Sequence, residues 1–140
     1  MQQNSPTPST DKLPIRTQND IVIVRQRVRA RAAELGFSLI DQTKVVTAAS
    51  ELARNTLDYG LGGDVYFEIL TPPEHPRKGL RLSFIDQGPG IPDLSLALKD
   101  GYTSGGGLGM GLSGTKRLMN DFSIETKVGE GTRVTITKWK

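Results

Sequence analysis

The chain has no cysteine and one histidine among its 140 residues. Without cysteine it has neither disulfides nor thiol catalysis, which fits a reducing compartment, so a cytoplasmic location is expected. No apolar run approaches the roughly 18 residues of a membrane-spanning helix. The opening "MQQNSPTPSTDK" lacks the basic start and apolar stretch of a signal peptide. Neither a membrane nor nucleic acid is an expected partner. Net charge is only +3, and the densest basic group, Arg25, Arg27, Arg29 and Arg31, steps by two residues. That spacing spreads charge around a helix, so a solvated surface is expected there.

With 36% hydrophobic and 24% charged residues, the composition is that of an ordinary globular domain. Residues 1–12 read as a flexible tail and residues 13–140 as one domain. "LPIRT" (13–17) suits an edge strand, since proline is tolerated there. Asn19 and Asp20 suit a helix cap, with Ile21, Val24, Val28, Ala32 and Leu35 following at helical spacing and Gly36 as the stop. A second helix is predicted from about Asp41 to Tyr59, packed through Val45, Ala48, Ala49, Leu52 and Thr56 and ended by Gly60, Gly62 and Gly63. Strands are predicted at 65–70 and 80–86, two helical turns at 93–100, and a longer helix at 112–121. "FSIETKV" and "TRVTITKW" then form a hairpin around "GEG". The order implies an α+β fold, a mixed sheet covered on one face by helices.

The most unusual stretch is "TSGGGLGMGLSGTKRL" (103–118). Gly109, Gly111 and Gly114 match G-x-G-x-x-G, yet no apolar strand leads into them, as a dinucleotide site requires. A P-loop fails too, because Thr115-Lys116 reverses the required order and again no strand precedes. What remains is a glycine segment opening into a helix, where free N–H groups and the helix dipole favour an anion. Ordering ten such residues costs on the order of 10–20 kcal/mol, so the segment reads as a lid that is disordered until a ligand compensates.

Two further stretches carry chemistry. "DQGPGIP" (86–92) puts Asp86 at a strand end, where its carboxylate can accept hydrogen bonds from an amino group such as that of adenine. Gly88 and Gly90 leave room beside it for a flat ring. "ELARN" sets Glu51 and Asn55 one helical turn apart, in a polar stripe with Thr47 and Asp58. An amide oxygen can ligate Mg²⁺ that takes its remaining ligands from phosphates and water. A glutamate one turn away can take a proton from an incoming nucleophile.

"ELARN", "DQGPG", "GGGLGMGL" and "GEGT", in this order, resemble the N, G1 and G2 boxes and closing threonine of the GHKL ATP-binding superfamily. "AAELGF", "ASELARN", "DQGPGIPD", "DGYTSGGGLGMGL", "GTKRLMNDF" and "GEGT" further resemble RsbT-type serine/threonine kinases of bacterial stress signalling. The resemblance covers about residues 15–140 and implies a Bergerat fold, a two-layer α/β sandwich with a mostly antiparallel sheet. It implies that Asn55 coordinates Mg²⁺ bridging the phosphates of ATP and that Glu51 is the general base. It implies that Asp86 accepts from the adenine amine, with Thr132 supporting it directly or through water. Gly88 and Gly90 then shape the base pocket. Gly105, Gly106, Gly107, Leu108, Gly109, Met110, Gly111 and Leu112 form the lid over the phosphates. Lys116 and Arg117 are either phosphate contacts or solvated charges. Ser113 stands where such kinases often carry proline.

By the same resemblance the partner is a STAS-domain protein phosphorylated on serine or threonine, as in stressosome proteins, with a PP2C-type phosphatase as a second partner. The protein is a monomer or homodimer. The alternative is a nucleotide-gated regulator that sequesters or activates a partner with little catalytic role. A histidine kinase is disfavoured, since the lone His75 lies between prolines in a predicted exposed loop. A gyrase-like or chaperone-like ATPase would need further domains.

Overall fold

The structure, a computed structural model, describes residues 11–74, 76–98 and 111–140. In chain order they form β1 (Asp11–Ile15), α1 (Gln18–Glu34), α2 (Leu39–Asp58), β2 (Gly63–Leu70), β3 (Gly79–Asp86), α3 (Leu94–Ala97), α4 (Gly111–Leu118), β4 (Asp121–Lys127) and β5 (Gly131–Trp139). The five strands form one sheet in the order β1-β2-β3-β5-β4. Every described pairing is antiparallel, where a mixed, mostly antiparallel sheet was expected. Each strand reaches its neighbour through a hairpin or by the return of the helical layer, and no pair needs a parallel crossover.

Alternation decides which sheet face is covered. Val65 and Phe67 of β2, Leu80, Leu82 and Phe84 of β3, and Val134 and Ile136 of β5 are all buried toward the helices. They meet Val24, Val28 and Ala32 of α1 and Val45, Ala48, Ala49 and Leu52 of α2 in one core. The opposite sheet face carries Lys12, Tyr66, Glu68, Arg81, Ser83, Arg133 and Thr135, as period-two alternation requires. This is the expected two-layer α+β architecture.

Local capping corrects several boundaries. The α1 cap is Thr17, not Asn19 or Asp20: its hydroxyl accepts from the Asp20 N–H at 3.1 Å, and Asp20 Oδ2 accepts the Thr17 N–H at 3.0 Å. This reciprocal box satisfies donors at both ends of the first turn. At the C-terminus the Gly36 N–H bonds Ala33 O and the Phe37 N–H bonds Ala32 O, which turns the chain and buries Phe37. Ser38 then caps α2, accepting from the Asp41 N–H at 3.1 Å, so α2 starts two residues before the expected Asp41. The last helix, α4, stops at Leu118 instead of running to Asp121. Asn120 is drawn to β5, where its N–H bonds Thr137 O and its Oδ1 accepts the Trp139 N–H.

The arginine group on α1 is not uniformly solvated. Arg27 and Arg31, one turn apart, both reach Asp11 Oδ2 of the edge strand, at 3.1 and 2.7 Å. Burial alone would raise the Asp11 pKa, but the two guanidiniums outweigh it and hold it below the ordinary 3.8. A lowered carboxylate pKa contributes stability above the unfolded value that is lost as pH falls through the folded one. Asp11→Asn is therefore expected to cost about 1 kcal/mol at pH 7. In thermal unfolding monitored by circular dichroism, its deficit should shrink as pH falls below 3.8 and vanish once pH has passed the lowered folded value of Asp11.

Candidate functional site

Between α2 and the ends of β3 and β5 lies a cavity of about 500 Å³, walled by Glu51, Arg54, Asn55, Gly60, Phe84, Asp86, Gly90, Ile91, Gly111, Leu112, Thr132 and Val134, among others. That volume suits a ligand of nucleotide size. Residues as far apart in the chain as Glu51 and Val134 meet here. At this side of the core α2 and β3 end and β5 begins, which brings Asn55, Asp86 and Thr132 together.

Asp86 and Thr132 are direct partners across the β3–β5 pairing, and Asp86 faces Gly63 across β2. The Asp86 side chain therefore points to the helix side of the sheet. Its Oδ1 accepts the Gly88 N–H at 2.9 Å, and the Thr132 N–H also reaches the carboxylate. Burial raises the Asp86 pKa above the ordinary 3.8, and those two N–H groups offset this only in part. A half-buried acid on a cavity wall is suited to accept a hydrogen bond from a ligand donor.

Gly60, which sequence reading assigned only to ending a helix, belongs to the site. A β-carbon on it would lie 2.5 Å from Asp86 Oδ2, too close for any residue but glycine. Its own N–H bonds Asn55 O at 3.1 Å, which links the helix end carrying Asn55 to the acid. The glycines of "GLGG" mark the end of a helix, but nothing local shows that a distant carboxylate lies against the first of them.

Gly90 takes φ +80°, and a β-carbon there would meet Lys127 O, so the loop after β3 lies directly on the β4–β5 hairpin. The Gly129 N–H bonds Pro89 O at 2.9 Å in the same contact. Gly88 lies off the cavity wall. Its part is to hold Asp86 through its N–H and to pack on Gly60.

On α2, Glu51 is buried while Asn55 is half-buried and both face the cavity. The expected polar stripe opposite the packed side is thus corrected for Glu51. The sheet covers one side of α2 and α4 another, so a second flank of the helix is shielded. Glu51 Oε1 pairs with Arg54 Nη1 at 3.3 Å. Arg54, a cation on the cavity wall, was not singled out from the sequence, because its spacing from Glu51 is also that of a routine surface pair.

The first turn of α4 brings Gly111 and Leu112 to the cavity. Lys116 and Arg117 lie in its last turn, exposed and off the cavity wall. At 100° per residue, positions five and six beyond Gly111 turn away from the face that Gly111 presents. Ser113 and Thr115 are buried, with Thr115 Oγ1 donating to Gly111 O at 3.1 Å. Gly105, Gly106, Gly107, Leu108, Gly109 and Met110 lie outside the described residues, as do His75 and the residues before Asp11.

Among the described residues no group of three or more His, Cys, Asp or Glu can hold a metal ion. A cation beside Asn55 would therefore draw most of its ligands from phosphate and water, which is how Mg²⁺ commonly binds. The donor set fits that ion. No helix among the described residues is long and apolar enough to cross a membrane.

Comparisons with known proteins place the chain and its fold. The family described as histidine kinase-, DNA gyrase B-, and HSP90-like ATPase matches residues 40–140. The serine/threonine-protein kinase RsbT of Bacillus subtilis (strain 168) is 46% identical over 125 residues, covering 89% of this chain and 92% of that protein. An anti-sigma F factor of Bacillus licheniformis is 31% identical over 121 residues, covering 81% of this chain and 80% of that protein. A crystal structure of the RsbU and RsbW domains of Rv1364c from Mycobacterium tuberculosis superposes with a TM-score of 0.64 at 25% identity. It covers 96% of this chain, which spans 32% of that longer one. The mycobacterial sensor histidine kinase MprB, at 18% identity and a TM-score of 0.53 over 92% of this chain and 96% of that one, shares the fold. The chain belongs to the histidine kinase-, DNA gyrase B- and HSP90-like ATPase family, within its RsbT-type branch.

Proposed function

We propose that the protein is an ATP- and Mg²⁺-dependent serine/threonine protein kinase whose acceptor is a STAS-domain partner in a bacterial stress-signalling, partner-switching pathway. The observation that carries this reading is the single cavity that collects Glu51, Asn55, Asp86, Thr132 and the start of α4. Identity of 46% to a protein named serine/threonine-protein kinase RsbT supports the reaction type.

In this reading Asp86 accepts from the exocyclic amine of adenine, supported by Thr132. Gly60, Gly88 and Gly90 hold the acid and keep the base end open. Asn55 contributes an amide oxygen to the metal, which neutralises phosphate charge when bound. Glu51 takes the proton of the acceptor hydroxyl as its oxygen bonds to the γ-phosphorus, and ADP leaves. Such transfer depends on positioning and charge neutralisation more than on covalent work by the protein. Gly105, Gly106, Gly107, Leu108, Gly109, Met110, Gly111 and Leu112 close over the phosphates. Incubation with Mg-ATP and candidate STAS-domain proteins, followed by mass spectrometry, should place one phosphate on a partner serine or threonine. ATP binding with no transfer to any such partner would count against the kinase reading.

A second reading has its own support in the anti-sigma F factor relative. Here the nucleotide gates the grip on a partner, such as a PP2C-type phosphatase, and transfer matters little. Partner release that continues normally in a catalytically silent variant would favour it.

Gly60→Ala provides an independent check on the base end. Its new methyl would push the Asp86 carboxylate out of place. ATP affinity, read by calorimetric titration, is expected to fall about tenfold or more, since a charged hydrogen bond is lost.

A further inference from the structure

The hydrogen bonds around Thr126 point to a role that neither the motifs nor the cavity wall discloses. Thr126 of β4 lies one strand beyond Thr132, its direct partner in the β4–β5 pairing, and does not line the nucleotide cavity. Its Oγ1 accepts the Ile91 N–H at 2.8 Å, lies 2.9 Å from Thr132 Oγ1 and 3.3 Å from Gly131 O. Three groups of the base end, the Ile91 N–H in the loop after β3 and Gly131 O and Thr132 Oγ1 at the start of β5, thus meet at one hydroxyl.

A hydroxyl has one proton and two lone pairs. The Ile91 N–H occupies one lone pair. If the Thr126 proton goes to Gly131 O, Thr132 must donate to Thr126 and shows the cavity only lone pairs. If it goes to Thr132 Oγ1, the shorter contact, the Thr132 proton is free for the cavity. Asp86 beside it is already an acceptor. A purine edge with one amino donor flanked by ring-nitrogen acceptors needs an acceptor for the amine and a donor for the ring. Only the second arrangement offers both.

We propose that Thr126 is a positioning residue for the base: it donates to Thr132, which in turn donates to a ring nitrogen of adenine, while its grip on Ile91 fixes the loop after β3. The proposal rests on the nucleotide reading of the cavity. It assigns base selectivity partly to a side chain that never touches the base.

The test measures affinities of wild type, Thr126→Val, Thr126→Ser and Thr132→Val for ATP, 1-deaza-ATP and 7-deaza-ATP. In wild type, replacing the recognised ring nitrogen by CH should weaken binding about tenfold, the scale of one hydrogen bond. Thr126→Val should lose that preference by weakening ATP while leaving the deaza analogue nearly unchanged, and Thr126→Ser should keep it. Thr132→Val should behave like Thr126→Val and serves in its place if that variant does not fold. Equal loss for ATP and both analogues would mean a structural role and overturn the proposal. So would unchanged selectivity in either valine variant, or a wild type indifferent to both ring nitrogens. A wild type that binds no ATP would instead sink the nucleotide reading itself.

Discussion

Glu51→Ala should reduce phosphate transfer to a partner by about 10²–10⁴-fold while ATP affinity stays within about threefold of wild type. Glu51 is buried on the cavity wall, four residues from Asn55 on the same helix, and in the proposed reaction that is where the acceptor hydroxyl approaches the phosphate. In that proposed reaction its removal takes away the proton acceptor and leaves the adenine end untouched. Its ion-pair partner Arg54 is half-exposed and can return to solvent, so the variant should fold. Glu51→Gln, which keeps shape and loses basicity, should show nearly the same deficit. Radiolabelled γ-phosphate followed into a purified partner measures the rate, and calorimetry measures the binding. A Glu51→Ala protein that transfers phosphate at the wild-type rate would remove this residue from the mechanism. A silent variant that still switches its partner normally would favour the binding-regulator reading.

The second large effect belongs to Asp86→Asn. One oxygen of the amide can still accept from Gly88 or Thr132, but its other end presents a donor where the adenine amine needs an acceptor. ATP affinity is expected to fall about 10- to 100-fold, the worth of a hydrogen bond to a charged acceptor. The free protein should respond the opposite way. Burial raises the Asp86 pKa, so the stability linked to this group is complete below 3.8 and is lost as pH rises through the higher folded value. At neutral pH the ionised acid is a cost, and Asp86→Asn should melt no lower than wild type. ATP affinity of the wild type should also decline as pH falls through the raised Asp86 value, while that of the variant stays flat over the same interval. An Asn variant that binds ATP normally, or one whose free form is strongly destabilised, would contradict this account.

Those two residues stand out in the chain because their neighbours announce them, and the fold brings both to one cavity. "ELARN" places Glu51 and Asn55 one turn apart, and "DQGPG" places Asp86 at a strand end before two glycines. Helical spacing of Val24, Val28 and Ala32, and alternation through Leu80, Leu82 and Phe84, likewise fixed which faces are buried. Residues near in sequence share a backbone geometry, and periodicity reads that geometry directly.

Other features had no local signature. Thr17 displaced Asn19 and Asp20 as the α1 cap because the choice rests on which side chain closes a reciprocal pair, and several nearby residues qualify. Arg27 and Arg31 look like solvated charge until β1 brings Asp11 between them. Lys116 follows the glycine segment closely, yet the helix turns it outward.

By itself, then, the amino-acid sequence determined the α+β class, the core faces and the motif residues that identify the family, since each depends on spacing within one element. Only the tertiary structure decided that Glu51 is shielded, that Gly60 lies against Asp86, and that Thr126 joins Ile91 to Thr132. These are contacts between elements 26 to 35 residues apart in two cases, set by sheet order and strand register. No local pattern encodes them, because they arise from which strands become neighbours.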